Sequence, residues 1–263
     1  MTDFLKTYTF YFIFLCMVLW EWFAPLRLNL SVPYRRWFNH FVLFVANTFI
    51  RRGWKLLTGG AVISLGWQRG ILSPFSTHQW VSVLLGVFAI DFVSYVLHRA
   101  FHKYRVLWRI HRIHHSDLEL DVTTAFRNHP LEIIISISAG SAIALIVGIP
   151  VVALVTYGVL ATSIQMFHHA NIGLSPKADL LLGCLIVTPA MHCLHHSVND
   201  SEYNSNYGIV FPWWDWITGT FLRGSWTKQK NLSFGLKQYQ NSQLVGLPWI
   251  FTSPFIINQK RFQ

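Results

Sequence analysis

The chain has 263 residues, 52% of them hydrophobic and 12% charged, whereas a soluble domain carries about a quarter charged residues. With a positive mean hydropathy, that deficit excludes an ordinary soluble globule and points to an integral membrane protein. The formal charge is +10, but the basic residues flank apolar runs (Arg35-Arg36, Arg51-Arg52 with Lys55, Arg99 to Arg112) with no nucleic-acid fold motif, which is the pattern of positive-inside topology and anionic headgroup contact.

Residues 8–25, YTFYFIFLCMVLWEWFAP, predict a first spanning helix closed by Pro25, with Glu21 near enough to its end to reach the interface. The apolar run after Lys6 is long and lacks a small-residue cleavage site, so a retained span is expected rather than a signal peptide. The basic run Arg27 to Arg36 is expected on the cytoplasmic side. Residues 38–67 leave one kinked span, two half-spans or an interfacial helix open, because RRGWK interrupts two apolar stretches.

Residues 79–97 form a second clear span. Residues 131–149 and 150–167 are apolar on either side of Gly148-Ile149-Pro150 and fit a tight hairpin of two helices. Its small residues Gly140, Ser141, Ala142 and Ala144 suit helix contacts within a membrane. Residues 178–188 are a shorter apolar stretch, expected to pack against the bundle. After them the chain turns polar and aromatic, with Trp213, Trp214, Trp216 and Trp226, as in a cytoplasmic cap at the interface. The expected fold is all-α: an integral membrane bundle of about four spanning helices with a helical cap, forming one membrane domain over 1–263. Residues 1–79 supply its N-terminal helices and 223–263 a C-terminal tail.

Cys16, Cys184 and Cys193 form no disulfide framework and are too few for an all-cysteine iron–sulfur site. The 13 histidines carry the chemistry instead. His98 and His102 stand at i and i+4, and His111, His114 and His115 at positions that share one side of a helix; His192, His195 and His196 repeat that second spacing. His129 and the pair His168-His169 lie between, while His40 and His78 read as interface anchors. One HxxxH arises readily by chance. Eight imidazoles in three related spacings near membrane ends would leave many ring nitrogens unmatched beside hydrocarbon unless a metal gathered them. Eight to ten nitrogens exceed the needs of one ion and suit two, and imidazole alone does not choose among Fe, Zn, Cu and Ni.

HRAFH, HRIHHS and HCLHHS are similar to the three histidine boxes of the fatty acid hydroxylase and sterol desaturase superfamily. The likeness extends to Asp91-Phe92-Val93-Ser94-Tyr95, Leu107-Trp108-Arg109, Arg127-Asn128-His129-Pro130-Leu131-Glu132, Phe167-His168-His169-Ala170-Asn171, Asn206-Tyr207-Gly208 and the run Trp214 to Thr220. It covers roughly 80–222, in family order, and marks that stretch as the catalytic region. The resemblance implies a membrane-bound non-haem di-iron enzyme that uses O2 and two electrons to attack a lipid C–H bond, by hydroxylation, desaturation or ether cleavage. The implied ligands are His98, His102, His111, His114, His115, His192, His195 and His196, with His169 a ninth and His129 a tenth. His168 departs from the pattern, which asks for one histidine there, and Gln165 stands where some members carry another.

Acid–base groups cannot break an aliphatic C–H bond, so the hard chemistry falls to the metal. Ring N–H groups then need acceptors. Asp91, two turns before His98, is expected to support a histidine of the first box or to pair with Arg99; Glu132 and Asp215 are weaker candidates for such support. Arg99, Arg109 and Arg112 either dock an acidic electron carrier or a lipid headgroup, or supply positive-inside charge. Cys193 should point away from the ligands. No dinucleotide fingerprint or haem-attachment motif is present, so a ferredoxin- or cytochrome-type donor is expected from outside, with the lipid tail in a slot at the 131–167 hairpin. A bacterial inner membrane is the expected location, with the endoplasmic reticulum as alternative, and the site on the cytoplasmic side. The alternatives are a histidine-rich metal transporter, which needs ligands near mid-membrane, a structural or pH-sensing histidine cluster, and a zinc hydrolase, which wants the carboxylate of H-E-x-x-H that these boxes lack.

Overall fold

The computed structural model describes residues 2–28, 34–58, 70–71, 79–241 and 246–256. Among them every named element is helical. In chain order the long helices are α1 (Thr2–Phe23), α2 (Tyr34–Thr58), α3 (Gln79–Lys103), α4 (Arg105–His115), α5 (Pro130–Val147) and α6 (Val151–His169). Six short helices follow: α7 (Pro176–Leu182), α8 (Pro189–His195), α9 (Asp200–Tyr203), α10 (Trp213–Thr218), α11 (Trp226–Lys230) and α12 (Leu247–Thr252). A 3-10 turn at Val122–Phe126 precedes α5, its start capped by the Asp121 carboxylate.

Three helices, α3, α5 and α6, are long and apolar enough to cross a membrane; the apolar part of α1, Thr7–Phe23, is shorter. The expected four spans are thus three full ones and a shorter fourth. The hairpin forms where Gly148 ends α5 at φ 75, a left-handed position that glycine adopts without a Cβ clash, and Pro150 opens α6. Its helices meet α3 through Ala144, Ala153, Tyr157, Ala161, Val87 and Ile90. At Gly86 an added Cβ would lie 2.9 Å from Ala153, so glycine is what lets α3 and α6 approach. Ala142 does not join this seam; it faces outward, and Ser141 accepts from the Trp54 indole instead.

Up to Thr58, RRGWK does not interrupt anything: α2 runs through it as one helix, with Arg51 and Arg52 on the surface. Residues 59–67 of that stretch, His78 and the Trp226 side chain lie outside the described residues. The stretch after α6 also differs from expectation. Leu180, Leu181 and Leu185 are 52%, 70% and 59% exposed, so the apolar face of this segment points away from the bundle. Glu21 turns inward rather than to the interface, accepting the Val122 and Asn171 amides and fastening α1 to the core.

The ends of α3 and α6, the start of α5 and all of α4 and α8 gather at one end of the bundle. A buried polar network holds that end together. Arg36 donates to Asp117 at 2.6 Å, to Asp121, and to Thr124 at 2.9 Å. Arg127, 1% exposed, donates to the Ile113 carbonyl and Ser116 hydroxyl, closing the C-terminal end of α4.

Candidate metal centre

Nine histidines converge at this end in two groups. His98, His102, His111, His115 and His195 form one, and His114, His169, His192 and His196 the other; within each, one ring nitrogen per residue lies within 4.8 Å of all the rest. α3 contributes the first box from its last turns, α4 the second, α8 the third and α6 His169. Pro189 at the first helical position starts α8, about two turns long, and His192, His195 and the C-capping His196 are all buried. Asn206, at φ 52, holds that turn: its amide donates to the Met191 carbonyl at 2.9 Å and to that of Leu222 at 2.8 Å.

The ring orientations test whether cations fit. His98 Nδ1 faces the Tyr207 carbonyl at 2.8 Å, His195 Nδ1 the Ser205 carbonyl at 2.7 Å, and His111 Nδ1 a Glu132 carboxylate oxygen at 3.0 Å. Those partners accept only, so each Nδ1 carries the hydrogen and each Nε2 is a bare lone pair. Yet His98 Nε2 lies 3.1 Å from His111 Nε2 and 2.9 Å from His195 Nε2. In the second group His169 Nδ1 donates to the Gln165 carbonyl, and its Nε2 lies 3.1 Å from His114 Nε2 and 3.0 Å from His192 Nε2. In the first group, where an acceptor holds the hydrogen on Nδ1 of His98, His111 and His195, the Nε2 lone pairs face one another and repel unless a cation sits between them. Sets of five and four imidazole nitrogens, with no thiolate among them, fit iron and other first-row transition metals.

Burial, reinforced by neighbouring imidazoles, holds His114, His115, His192 and His196 well below the ordinary histidine range, and burial takes His195 to about 3. All five are neutral at physiological pH, as metal ligands must be.

The remaining expected residues divide. His129 joins neither group; its Nδ1 accepts the Leu131 amide as the cap of α5, which turns the ring away. Glu132 is where support was expected, bridging His111 and the Asn128 amide. Asp215 acts one step removed: its two oxygens accept the Tyr207 and Gly208 amides at 2.8 and 2.7 Å, fixing the carbonyl that orients His98. Asp91 touches neither a histidine nor Arg99. Seven residues of helix are about 10 Å of rise, beyond a carboxylate's reach, and Asp91 instead binds the Trp214 indole, the Tyr157 hydroxyl and the Val210 and Phe211 amides. Arg112 is fully buried and donates to the Ser253 carbonyl at 2.6 Å, so it presents no charge to a partner. Cys193 is buried outside both groups, beside Arg27.

Sequence reasoning passed over the Tyr207, Ser205 and Gln165 carbonyls, which are backbone acceptors with no side-chain signature. It also missed Arg36 with Asp117 and Asp121, although the two acids were visible directly after the second box.

A cavity of about 540 Å³ runs from the histidines between α2, α3, α5 and α6. His98, His111, His114, His169 and His192 form its inner end; Ile90, Val93, Leu97, Ile133 and Ile137 line its apolar wall.

A family model described as fatty acid hydroxylase matches residues 83–220, just over half the chain. The chain belongs to the fatty acid hydroxylase family. It is 32% identical over 153 residues to an ornithine lipid hydroxylase of Rhizobium tropici, covering 57% of this chain and 45% of that protein. It is 33% identical over 149 residues to the alkylglycerol monooxygenase of Homo sapiens, covering 56% and 31%. With a very-long-chain aldehyde decarbonylase of Oryza sativa it shares 28% over 153 residues, covering 55% and 24%. The chain therefore spans less than half the length of each of these relatives. No solved structure matches it.

Proposed function

We propose that this fatty acid hydroxylase family member is a membrane-bound di-iron oxygenase that hydroxylates or desaturates a lipid. The observation that carries this is the pair of histidine groups, with Nε2 atoms turned toward one another, at one end of a cavity between candidate spans. Two bound irons would supply the reductive activation of dioxygen that an unactivated C–H bond requires. Hydroxylation consumes O2, two electrons and two protons and yields the alcohol and one water; desaturation consumes the same and yields the alkene and two waters.

The chain's own groups do the rest. His98, His102, His111, His115 and His195 would hold one ion, and His114, His169, His192 and His196 the other. Glu132 and the Tyr207, Ser205 and Gln165 carbonyls keep the hydrogen on Nδ1 of His111, His98, His195 and His169, which leaves Nε2 of those four rings as the donor atom. Ile90, Val93, Leu97 and Ile137 exclude water and hold a hydrocarbon tail beside the ions. Electrons would come from a separate ferredoxin- or cytochrome-type donor; the basic residues flanking the apolar runs support a cytoplasmic side for the histidines, of a bacterial inner membrane in our reading.

The test is metal analysis of purified protein, joined to comparison of lipids from cells with and without the gene. Two tightly held irons per chain and a lipid shifted by one added oxygen or two lost hydrogens are expected. Freely exchangeable ions and no mass change would favour a metal transporter and overturn the oxygenase reading.

A further inference from the structure

The cavity lining mixes apolar and polar side chains. Near the histidines, α6 turns Thr162, Gln165 and His168 into it, whereas Ala161 and Gly158 line it further out. His168 is the most demanding of these. It is 1% exposed, and both its ring nitrogens are buried without a hydrogen-bond partner among the described residues. It belongs to neither metal group, yet its ring stacks on His192 with centroids 3.7 Å apart and planes 21° apart. An imidazole carries one N–H and one lone pair, and hiding both unmatched is unfavourable. Packing on His192 would be served better by phenylalanine or leucine. Nor do the Gln165 amide and Thr162 hydroxyl hydrogen-bond to any described residue. One face of one helix thus offers a strip of unmatched donors and acceptors beside the candidate metal centre.

We infer that His168, with Gln165 one turn away, binds an oxygen function of the substrate, a hydroxyl, ether or ester oxygen, and holds it against the second metal group. This rests on the lipid-oxygenase reading and narrows it. The substrate is an amphipathic lipid that enters with its oxygen-bearing end toward the histidines and its tail toward Gly158 and Ile90. The C–H bond attacked then lies within a few carbons of that oxygen, not at the tail terminus. His169 faces the metal group and His168 faces the substrate, which accounts for two adjacent histidines.

The experiment is equilibrium binding of radiolabelled hexadecan-1-ol and hexadecane to the full chain as isolated, in lipid nanodiscs, without oxygen or reductant. The native protein should bind the alcohol more tightly than the alkane. His168→Phe should weaken alcohol binding about tenfold, the value of one good hydrogen bond, and leave alkane binding and metal content unchanged. His168→Asn should recover most of the preference. Equal binding of both probes by the native protein, or a His168→Phe protein that binds alcohol as the native one does or loses both probes together, overturns the inference. Should His168→Phe fail to fold, Gln165→Leu decides: a reduced alcohol-to-alkane ratio supports the strip and an unchanged ratio overturns it. Binding without turnover is blind to the oxygenase reading, so selective binding by a protein that never turns over after reloading with iron and reductant would retain this inference and remove that one.

Discussion

Glu132 shows how one carboxylate can serve metal binding without touching a metal. It accepts from His111 Nδ1 and from Asn128, so it fixes both the ring's tautomer and its angle. Glu132→Ala should lower iron affinity about 10–100-fold, measured by competition with a calibrated chelator, while Glu132→Gln, which keeps an acceptor oxygen, should lose much less. His114→Ala and His195→Ala should each abolish the lipid mass change and take iron below two per chain. Full activity in either variant would remove that residue from the ligand set. At this scale the sequence is most legible where side chains carry the function, since the box histidines stand at spacings that fix their shared face. It is least legible where backbone carbonyls do the work, as at Tyr207 and Ser205. His129 misled because its neighbourhood fits the family pattern, and only the fold shows Nδ1 spent on capping α5.

Among the elements, α4 depends most on its surroundings. It carries three of the grouped histidines and ends beside Asp117 and Asp121, which Arg36 grips from α2. Burial alone would raise both carboxyls; the adjacent guanidinium more than reverses this, and both sit below the ordinary carboxylate range. A depressed carboxyl contributes stability that is present above its unfolded value and lost as pH falls through the folded one. Their contribution is therefore complete at neutral pH and is lost only in strong acid, below about pH 4. His114 and His195 act sooner. Their folded values are also depressed, chiefly by burial, so the stability they contribute is complete above the ordinary 6.5 and declines as pH falls below it. Chelator-treated protein should lose thermal stability steadily from about pH 6.5 downward, and iron-loaded protein should resist over the same interval; a flat profile for the chelated form would contradict the neutral assignment. Arg36→Met should cost about 3–5 kcal/mol, the penalty of stranding buried charge, read as a lower unfolding midpoint. The hairpin was readable because Gly148 and Pro150 have few other uses in an apolar run. The unbroken course of α2 as far as Thr58 was not, because basic residues near a helix end look like a break when the surface they lie on is unknown.

Across the whole molecule, a cavity between α2, α3, α5 and α6 meets the two histidine groups, and glycine keeps the passage open. A Cβ built at Gly140 or Gly158 meets nothing within 4 Å, and both residues line the cavity. Gly158→Phe should therefore leave iron content unchanged while cutting turnover of long-chain lipids more than tenfold and sparing shorter ones, measured as kcat/KM against chain length. Uniform loss at every length would mean that the cavity is not the route. The all-α class and the spans were plain from hydropathy; the cavity was not, since it arises from helix packing that no single segment encodes.

The two histidine groups are also interleaved along the chain. α4 and α8 each serve both groups, and His115 of the first stacks on His196 of the second with centroids 4.5 Å apart. Seating one ion thus orders the helices that the other needs, so loading should be cooperative, with a scarcity of half-filled protein during titration and both ions leaving together under a chelator.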